Sequence, residues 1–470
     1  MSPPDTGPPP EQPLSPTPWP WRIGLAVGLV ALAGAAYALR DAPPQFRSAL
    51  GVVGFVGVAG LFSANLRAVD RRTVLAGIAL QFTLAVLILR VRPVYLFFVE
   101  VGQAIQKFID FTNAGAVFVF GPLLNDSAIE RGLALDKGEG FIFVVKALPA
   151  VIFVSAFFTV LYHLGVLQAV VRAVSRLVVG VMGTSGAETL SATANVFMGQ
   201  TEAPLIVRPY VPRMTRSELL ALMIGGMATI SGGVMVAYVG LLDRIGMSEQ
   251  AVAILATSVM AAPCGLYLAK ILLPETATPV TRGQVRVEIP RTHANVFDAA
   301  ADGASQGMTL VLNIVAMLIA FIAFVALFNH LLLRLDEGLS LSSRLGLPAP
   351  LSLQQVFSWA FSPVALLLGV AWDDVPKVAE LLGTKLVLNE FVAYLVMAEK
   401  FAGQLEPRSV ALTAFALTGF ANFASIGIQL GGIGAMAPQR RGDLARLGLR
   451  ALLGGFLATL INASVAGVLM

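Results

Sequence analysis

Apolar runs of bilayer-spanning length recur along the whole chain, at residues 23–39, 49–66, 73–89, 141–167, 219–242, 251–273, 308–333 and 451–469, separated by shorter polar breaks. A helix needs roughly 20 mainly apolar residues to cross the hydrocarbon core, so each run predicts a transmembrane helix. Two further stretches are apolar but mixed. Residues 94–124 carry Glu100, Gln103, Gln106, Lys107 and Asp110, and residues 351–370 carry Gln354, Gln355, Ser358 and Pro363. The first pattern suits a helix lying along the interface, and the second a tilted or interfacial one.

The pattern fails in two places, and the failures are alike. Between 192 and 213 a polar knot, Gly199-Gln200-Thr201-Glu202, is flanked by apolar residues, and Pro204 and Pro209 prevent one helix from running through. A carboxylate at membrane depth costs about 2.5 to 3.5 kcal/mol, so Glu202 belongs at a cavity or a ligand. The stretch predicts a re-entrant hairpin with a polar tip. Residues 383–397 repeat the design around Asn389 and Glu390. Each hairpin is followed by a span rich in glycine and hydroxyls, at 225–233 and 419–427, which reads as a broken helix. Arg208, Arg213 and Arg216 set the first hairpin on the cytoplasmic side, whereas Asp373 and Asp374 before the second make its flanks less basic, which is compatible with entry from the opposite face. A hairpin plus a broken helix, occurring twice with opposite entry, is the inverted-repeat signature of a secondary transporter.

The expected organisation is all-α and polytopic, with a scaffold and a transport domain. A proline-rich tail (1–20) is expected to be disordered, followed by an extra transmembrane helix (21–40) that is not a signal peptide, because no Lys or Arg precedes Trp21. Scaffold helices and an interfacial helix take 41–140. The first transport repeat takes 141–273, with its hairpin at 183–213 and its broken helix at 217–242. A cytoplasmic segment, a scaffold helix and an interfacial helix fill 274–370. The second repeat takes 371–470, with a hairpin at 374–400, a broken helix at 409–436, a basic loop at 438–450 and a last helix at 451–469.

Composition agrees: 56% of residues are hydrophobic, 13% are charged, and the mean hydropathy is +0.79. The net charge of +4 does not point to nucleic acid, because Lys and Arg fall in inter-helix loops such as that of Arg67, Arg71 and Arg72, as the positive-inside rule requires. The single cysteine, Cys264, excludes an intrachain disulfide. The two polar cores hold carboxylates, amides and hydroxyls without the arginines or glycine-rich nest that a phosphate demands. They suit a neutral ligand dense in donors and acceptors. Carbonyls freed by the broken helices are what a cation would use. Rival readings are a passive channel and an intramembrane serine protease using Ser185 of Gly183-Thr184-Ser185-Gly186 with His330. His163 and His293 read as interfacial or loop residues.

Three ordered strings carry a family resemblance: GQTEAPLIVRPYVPRM at 199–214, LNEFVAY at 388–394 and GFANFASIGIQLGGIGAMAPQRRGDLARLGLRAL at 419–452, supported by MAAPCGLYLAK and PET within 260–276. From about residue 50 onward the chain resembles the concentrative nucleoside transporters. The resemblance implies a homotrimer in the cell (inner) membrane. Each protomer would import nucleosides of the uridine, cytidine and adenosine class by an elevator motion, with sodium, or a proton as in some relatives, as coupling ion and no other cofactor. It implies base contacts from Gln200, Thr201, Glu202 and Val234, and ribose contacts from Glu390, Phe420, Asn422 and Ser425. Sodium would be held by the hydroxyls of Thr201 and Thr229 and the carbonyls of Asn195, Met198 and Ile230.

Overall fold

The computed structural model describes residues 8–9, 15–125, 129–130, 132, 142–146, 148–244, 251–283, 293–345 and 350–470. Among them the chain is helical, without a strand, and eight helices are long and apolar enough to cross a membrane. Helices α1 (Trp19–Ala38), α2 (Pro44–Leu61), α3 (Arg71–Arg90) and α4 (Arg92–Phe120) open the chain. Asp70 caps α3: it accepts from the Thr73 hydroxyl at 2.7 Å and from the Arg72 amide at 3.0 Å, and the Thr73 bond above all holds its carboxyl below the usual range.

Helices α5 (Pro149–His163) and α6 (Val166–Met182) lead into the first hairpin. Its inward arm is α7 (Gly186–Ala194), its outward arm is short, and the broken helix follows as α8 (Arg216–Ala228) and α9 (Gly232–Arg244). Both α7 and α8 begin at the Ser/Thr-x-x-Glu signal that the sequence spells. Ser185 pairs with Glu188 and Thr215 with Glu218, each satisfying the other's backbone amide. The two boxes are tied together by the Ser185 hydroxyl, which donates to Glu218 Oε1 at 2.6 Å, and by the buried Lys270, which meets Glu188 Oε2 at 2.7 Å.

Then come α10 (Ala251–Leu272), α11 (Val296–Leu339) and α12 (Leu353–Leu368). The second hairpin is α13 (Val375–Val387) and α14 (Glu390–Glu399), and its broken helix is α15 (Pro407–Leu417) and α16 (Phe423–Met436). The chain closes with α17 (Arg441–Leu469). Helices α10 and α17 pack against each other at the centre, with α8 and α15 against them. A buried polar chain ties α3 to this centre: Tyr267 donates to Gln81, which donates to Asn462, at 2.8 and 2.6 Å.

Several boundaries differ from the sequence reading. The expected basic loop at 438–450 is helical from Arg441, because Arg440 is buried and its guanidinium donates to the carbonyls of Pro212 and Met214, with Asp443 in the first turn. Helix α11 is longer than expected, 44 residues or about 66 Å at 1.5 Å per residue, because Asn295 and Asp298 cap it well outside the apolar run. Residues 284–292 of the cytoplasmic segment, 346–349 ahead of the second interfacial helix, and 141 and 147 of the fourth run lie outside the described residues. Helix α6 was not foreseen. Its Leu167, Val171, Ser175, Val178 and Met182 form one buried stripe. Helix α5, expected inside the first transport repeat, makes its most extensive contact with α11. The tail is not wholly free either. Residues 1–7 and 10–14 lie outside the described residues, but Thr17 is buried and bonded to Ala64 O and Ser63 O, each at 3.1 Å.

Candidate substrate and ion site

The first hairpin ends α7 at Asn195 and turns through residues 196–202. Its turn is closed locally: Gly199 O accepts from the amides of Glu202 and Ala203, and Gly199 N–H donates to Glu202 Oε2 at 3.1 Å. The turn docks on the first break, where Gly232 N–H donates to Phe197 O at 3.1 Å. Thr229 caps α8 and donates its hydroxyl to Gly225 O at 2.9 Å. Glycines make this approach possible. A β-carbon on Gly226 would lie 2.9 Å from Gln200 Cβ, closer than real contacts allow.

In the second hairpin, Asn389 caps α14 through Val392 N–H, which sets Glu390 in the first turn with its carboxylate buried. Glu390 Oε1 accepts from the Tyr238 hydroxyl at 2.7 Å, and Oε2 from Asn422 Nδ2 at 3.0 Å. Asn422 also caps α16, its Oδ1 taking the Ser425 amide at 3.0 Å. Tyr238 comes from α9, so hairpin two is bonded both to its own broken helix and to that of the other repeat. The Tyr238 ring stacks on Tyr394 at 4.7 Å.

The two breaks meet each other. Phe420 N–H donates to Thr229 O at 3.1 Å, and Gly419, at φ +141°, permits it: a β-carbon there would sit 3.0 Å from Ala228 O. Gln200 Nε2 donates to Ser425 Oγ at 3.2 Å, and Gln429 Nε2 donates to Gln200 Oε1 at 3.2 Å and to Met223 O at 3.0 Å. A cavity of about 550 Å³ is lined by Phe197, Met198, Glu202 and Ser231 of the first repeat, with α5 and α11 opposite; Gln200, Glu390, Asn422 and Ser425 do not line it. Cavities of a few hundred Å³ are the size that holds small ligands.

The structure thus brings Gln200, Ser425, Asn422 and Glu390 into two linked contacts, and sets Met198 and Glu202 on the cavity. Val234 and Thr229 are buried and Phe420 is half-buried. Thr201 is exposed and lays its methyl near Gly432 of α16, in surroundings different from those of Thr229. Among the described residues, no amide donates a backbone hydrogen bond to the carbonyls of Asn195, Met198 or Ile230, and the buried Asn195 Oδ1 has no partner. Three residues escaped the sequence reading: Tyr238, Gln429 and Lys385. Each is a polar group within an apolar helix, a signal of function in a membrane span, but their partners lie far off in sequence. The protease reading fails. The Ser185 hydroxyl is buried and committed to Glu218, while His330 is exposed on α11.

Two helical hairpins whose tips meet two interrupted helices, within a polytopic helical protein, define a secondary transporter. Known proteins narrow the class. Family models described as Na+ dependent nucleoside transporter N-terminus, Nucleoside recognition, and Na+ dependent nucleoside transporter C-terminus match residues 50–123, 144–245 and 253–467. An uncharacterized transporter of Haemophilus influenzae is 41% identical over 430 residues, covering 90% of this chain and 97% of its own. Sodium/nucleoside cotransporter 1 of Mus musculus is 40% identical over 462 residues, 95% of this chain but 67% of that longer protein. CNTnw in an inward-facing substrate-bound state superposes with a TM-score of 0.80 at 36% identity, covering 90% of this chain and 97% of CNTnw, and substituted variants of CNTnw in intermediate and outward-facing states match likewise. The chain belongs to the Na+-dependent nucleoside transporter family. It is a multi-pass membrane protein and a transporter, not an enzyme.

Proposed function

We propose that the protein is a sodium-driven symporter that imports nucleosides, each protomer of a homotrimer moving its hairpins and broken helices as one elevator-like body. The observation that carries this reading is Glu390. Its carboxylate is buried, held by donors from both broken helices, and linked through Asn422 and Ser425 to Gln200 of the opposite hairpin. A carboxylate and an amide so held suit the vicinal hydroxyls of a ribose, and a site built for those bonds rejects analogues lacking them. Gln200, Thr201 and Glu202, with Val234, take the base end, where Glu202 faces the cavity. Phe420, Asn422, Ser425 and Glu390 take the sugar. The ribose groups are bonded to one another, so substrate entry exchanges those bonds rather than leaving buried groups unpaired.

The donor set fits sodium. Hard cations take oxygen ligands, and the buried Asn195 Oδ1, together with the carbonyls of Asn195, Met198 and Ile230 and the hydroxyl of Thr229, supplies oxygen beside the first hairpin tip. Thr201 completes the set once the tip closes. An ion there fastens the tip to the break, so nucleoside and ion bind cooperatively. One charge crossing about 100 mV, with a tenfold sodium gradient, supplies about 3.7 kcal/mol, enough for several-hundredfold accumulation. Labelled uridine and adenosine uptake into proteoliposomes tests this: uptake should exceed equilibrium only with an inward sodium gradient. Uptake unchanged when choline replaces sodium but collapsed by a proton ionophore identifies a proton-driven carrier, and uptake that never exceeds equilibrium identifies a channel.

A further inference from the structure

The two repeats end their first half-helices alike and then diverge. Thr229 and Thr418 are the C-caps of α8 and α15, and each hydroxyl donates to the carbonyl four residues back, Gly225 at 2.9 Å and Ala414 at 2.7 Å. On the α7 side of the first repeat acceptors lack donors: Asn195 Oδ1 and Thr193 Oγ1 are buried without partners. In the second repeat the chain itself supplies donors. The Tyr394 hydroxyl lies 2.8 Å from both Ala414 O and Thr418 Oγ1. From α13, the fully buried Lys385 donates to Ala416 O at 2.7 Å and to Thr459 Oγ1 at 2.8 Å, over the Phe456 ring at 5.5 Å.

Half-helix α15 ends with free carbonyls and a partial negative charge, and Lys385 sits against that end. It lies five residues before Glu390 in the same hairpin, at the end of α13, with Glu390 opening α14. A buried ammonium must be hydrogen-bonded, and Lys385 has two oxygen acceptors, Ala416 O and Thr459 Oγ1, with the Phe456 ring beneath it.

We propose that the Lys385 ammonium is the tethered counterpart, in the second repeat, of the coupling ion bound by the first, neutralising the end of α15 and the Glu390 carboxylate so that no second ion is needed there. The proposal rests on the cation-coupled reading above. A tethered charge travels out with the transport body and back again, and adds nothing to the net charge moved per cycle. An ion is released on the far side and does add to it. Removing the amine therefore converts a fixed charge into a requirement for one more ion.

The test is net charge moved per labelled uridine in proteoliposomes under an imposed potential. Wild type should move one charge, Lys385→Met two, and Lys385→Arg one. Tyr394→Phe, which deletes a neutral donor, should stay at one, and Lys385→Met combined with Glu390→Gln should return to one. Should Lys385→Met transport too slowly, cation titration of uridine binding by the purified protein replaces the flux, with the Hill coefficient rising from one toward two. A Lys385→Met carrier that still moves one charge overturns the proposal, as does a wild type that moves two or none, or a loss of binding that no cation concentration restores. A wild type that moves one charge in choline as well as in sodium leaves Lys385 in its role and removes only sodium as the ion.

Discussion

At the scale of single residues, Glu390 is the most constrained group of the site, because both carboxylate oxygens face donors, Tyr238 and Asn422. Glu390→Gln sets an amide NH2 against one of those donors and removes a charge-assisted bond to the sugar. Nucleoside binding should weaken by about 1.5 to 3 kcal/mol, read as a roughly 10- to 150-fold rise in Kd by calorimetry. Free uracil should compete poorly with uridine, and equal inhibition by the two would remove the ribose assignment. Glu202 differs, since Gly199 N–H occupies only Oε2 and the group lines the cavity. Glu202→Gln keeps that bond but offers a donor to the base, so it should reorder the preference among uridine, cytidine and adenosine; an equal loss for all three points to a role in holding the tip. The carboxylates were legible because ionisable groups at membrane depth are rare. Tyr238 and Gln429 were not, because their partners lie 152 and 229 residues away.

At the scale of elements, the helix breaks are the working parts. Thr229 ends α8, and its hydroxyl is bonded once, to Gly225 O. Thr229→Val keeps the shape and deletes the oxygen, so the sodium concentration for half-maximal uptake should rise several-fold while the rate at saturating sodium largely persists; an unchanged sodium curve would take Thr229 out of the ion site. The breaks were visible as clusters of glycine and hydroxyls. The start of α17 was not, since a run of arginines reads as a loop until Arg440 is seen spending its donors on the returning arm of the first hairpin. Gly419 shows the same limit. Its sequence context marks a break, but only the approach to Ala228 O explains why a side chain is excluded.

At the scale of the whole molecule, α1 lies at the margin. Only Ala36 of it is buried, and it packs on α2 and α12, away from the hairpin tips. The Arg-rich loop between α2 and α3 holds the orientation of the remainder without it. A protein lacking residues 1–40 should therefore keep sodium-dependent uridine uptake with an unchanged KM, at some loss of thermal stability; abolished uptake in a folded, membrane-inserted protein would give α1 a part in transport. The apolar runs, the two polar tips and the two breaks were determined by sequence, because burying a polar group in hydrocarbon is expensive enough to leave a mark in any local window. Which polar group meets which was decided only by the tertiary structure. Tyr238 reaches Glu390, Gln429 reaches Gln200, and Phe420 N–H reaches Thr229 O across the repeats. Such bonds depend on how two inverted halves pack, and local spacing carries no record of a partner in the other half.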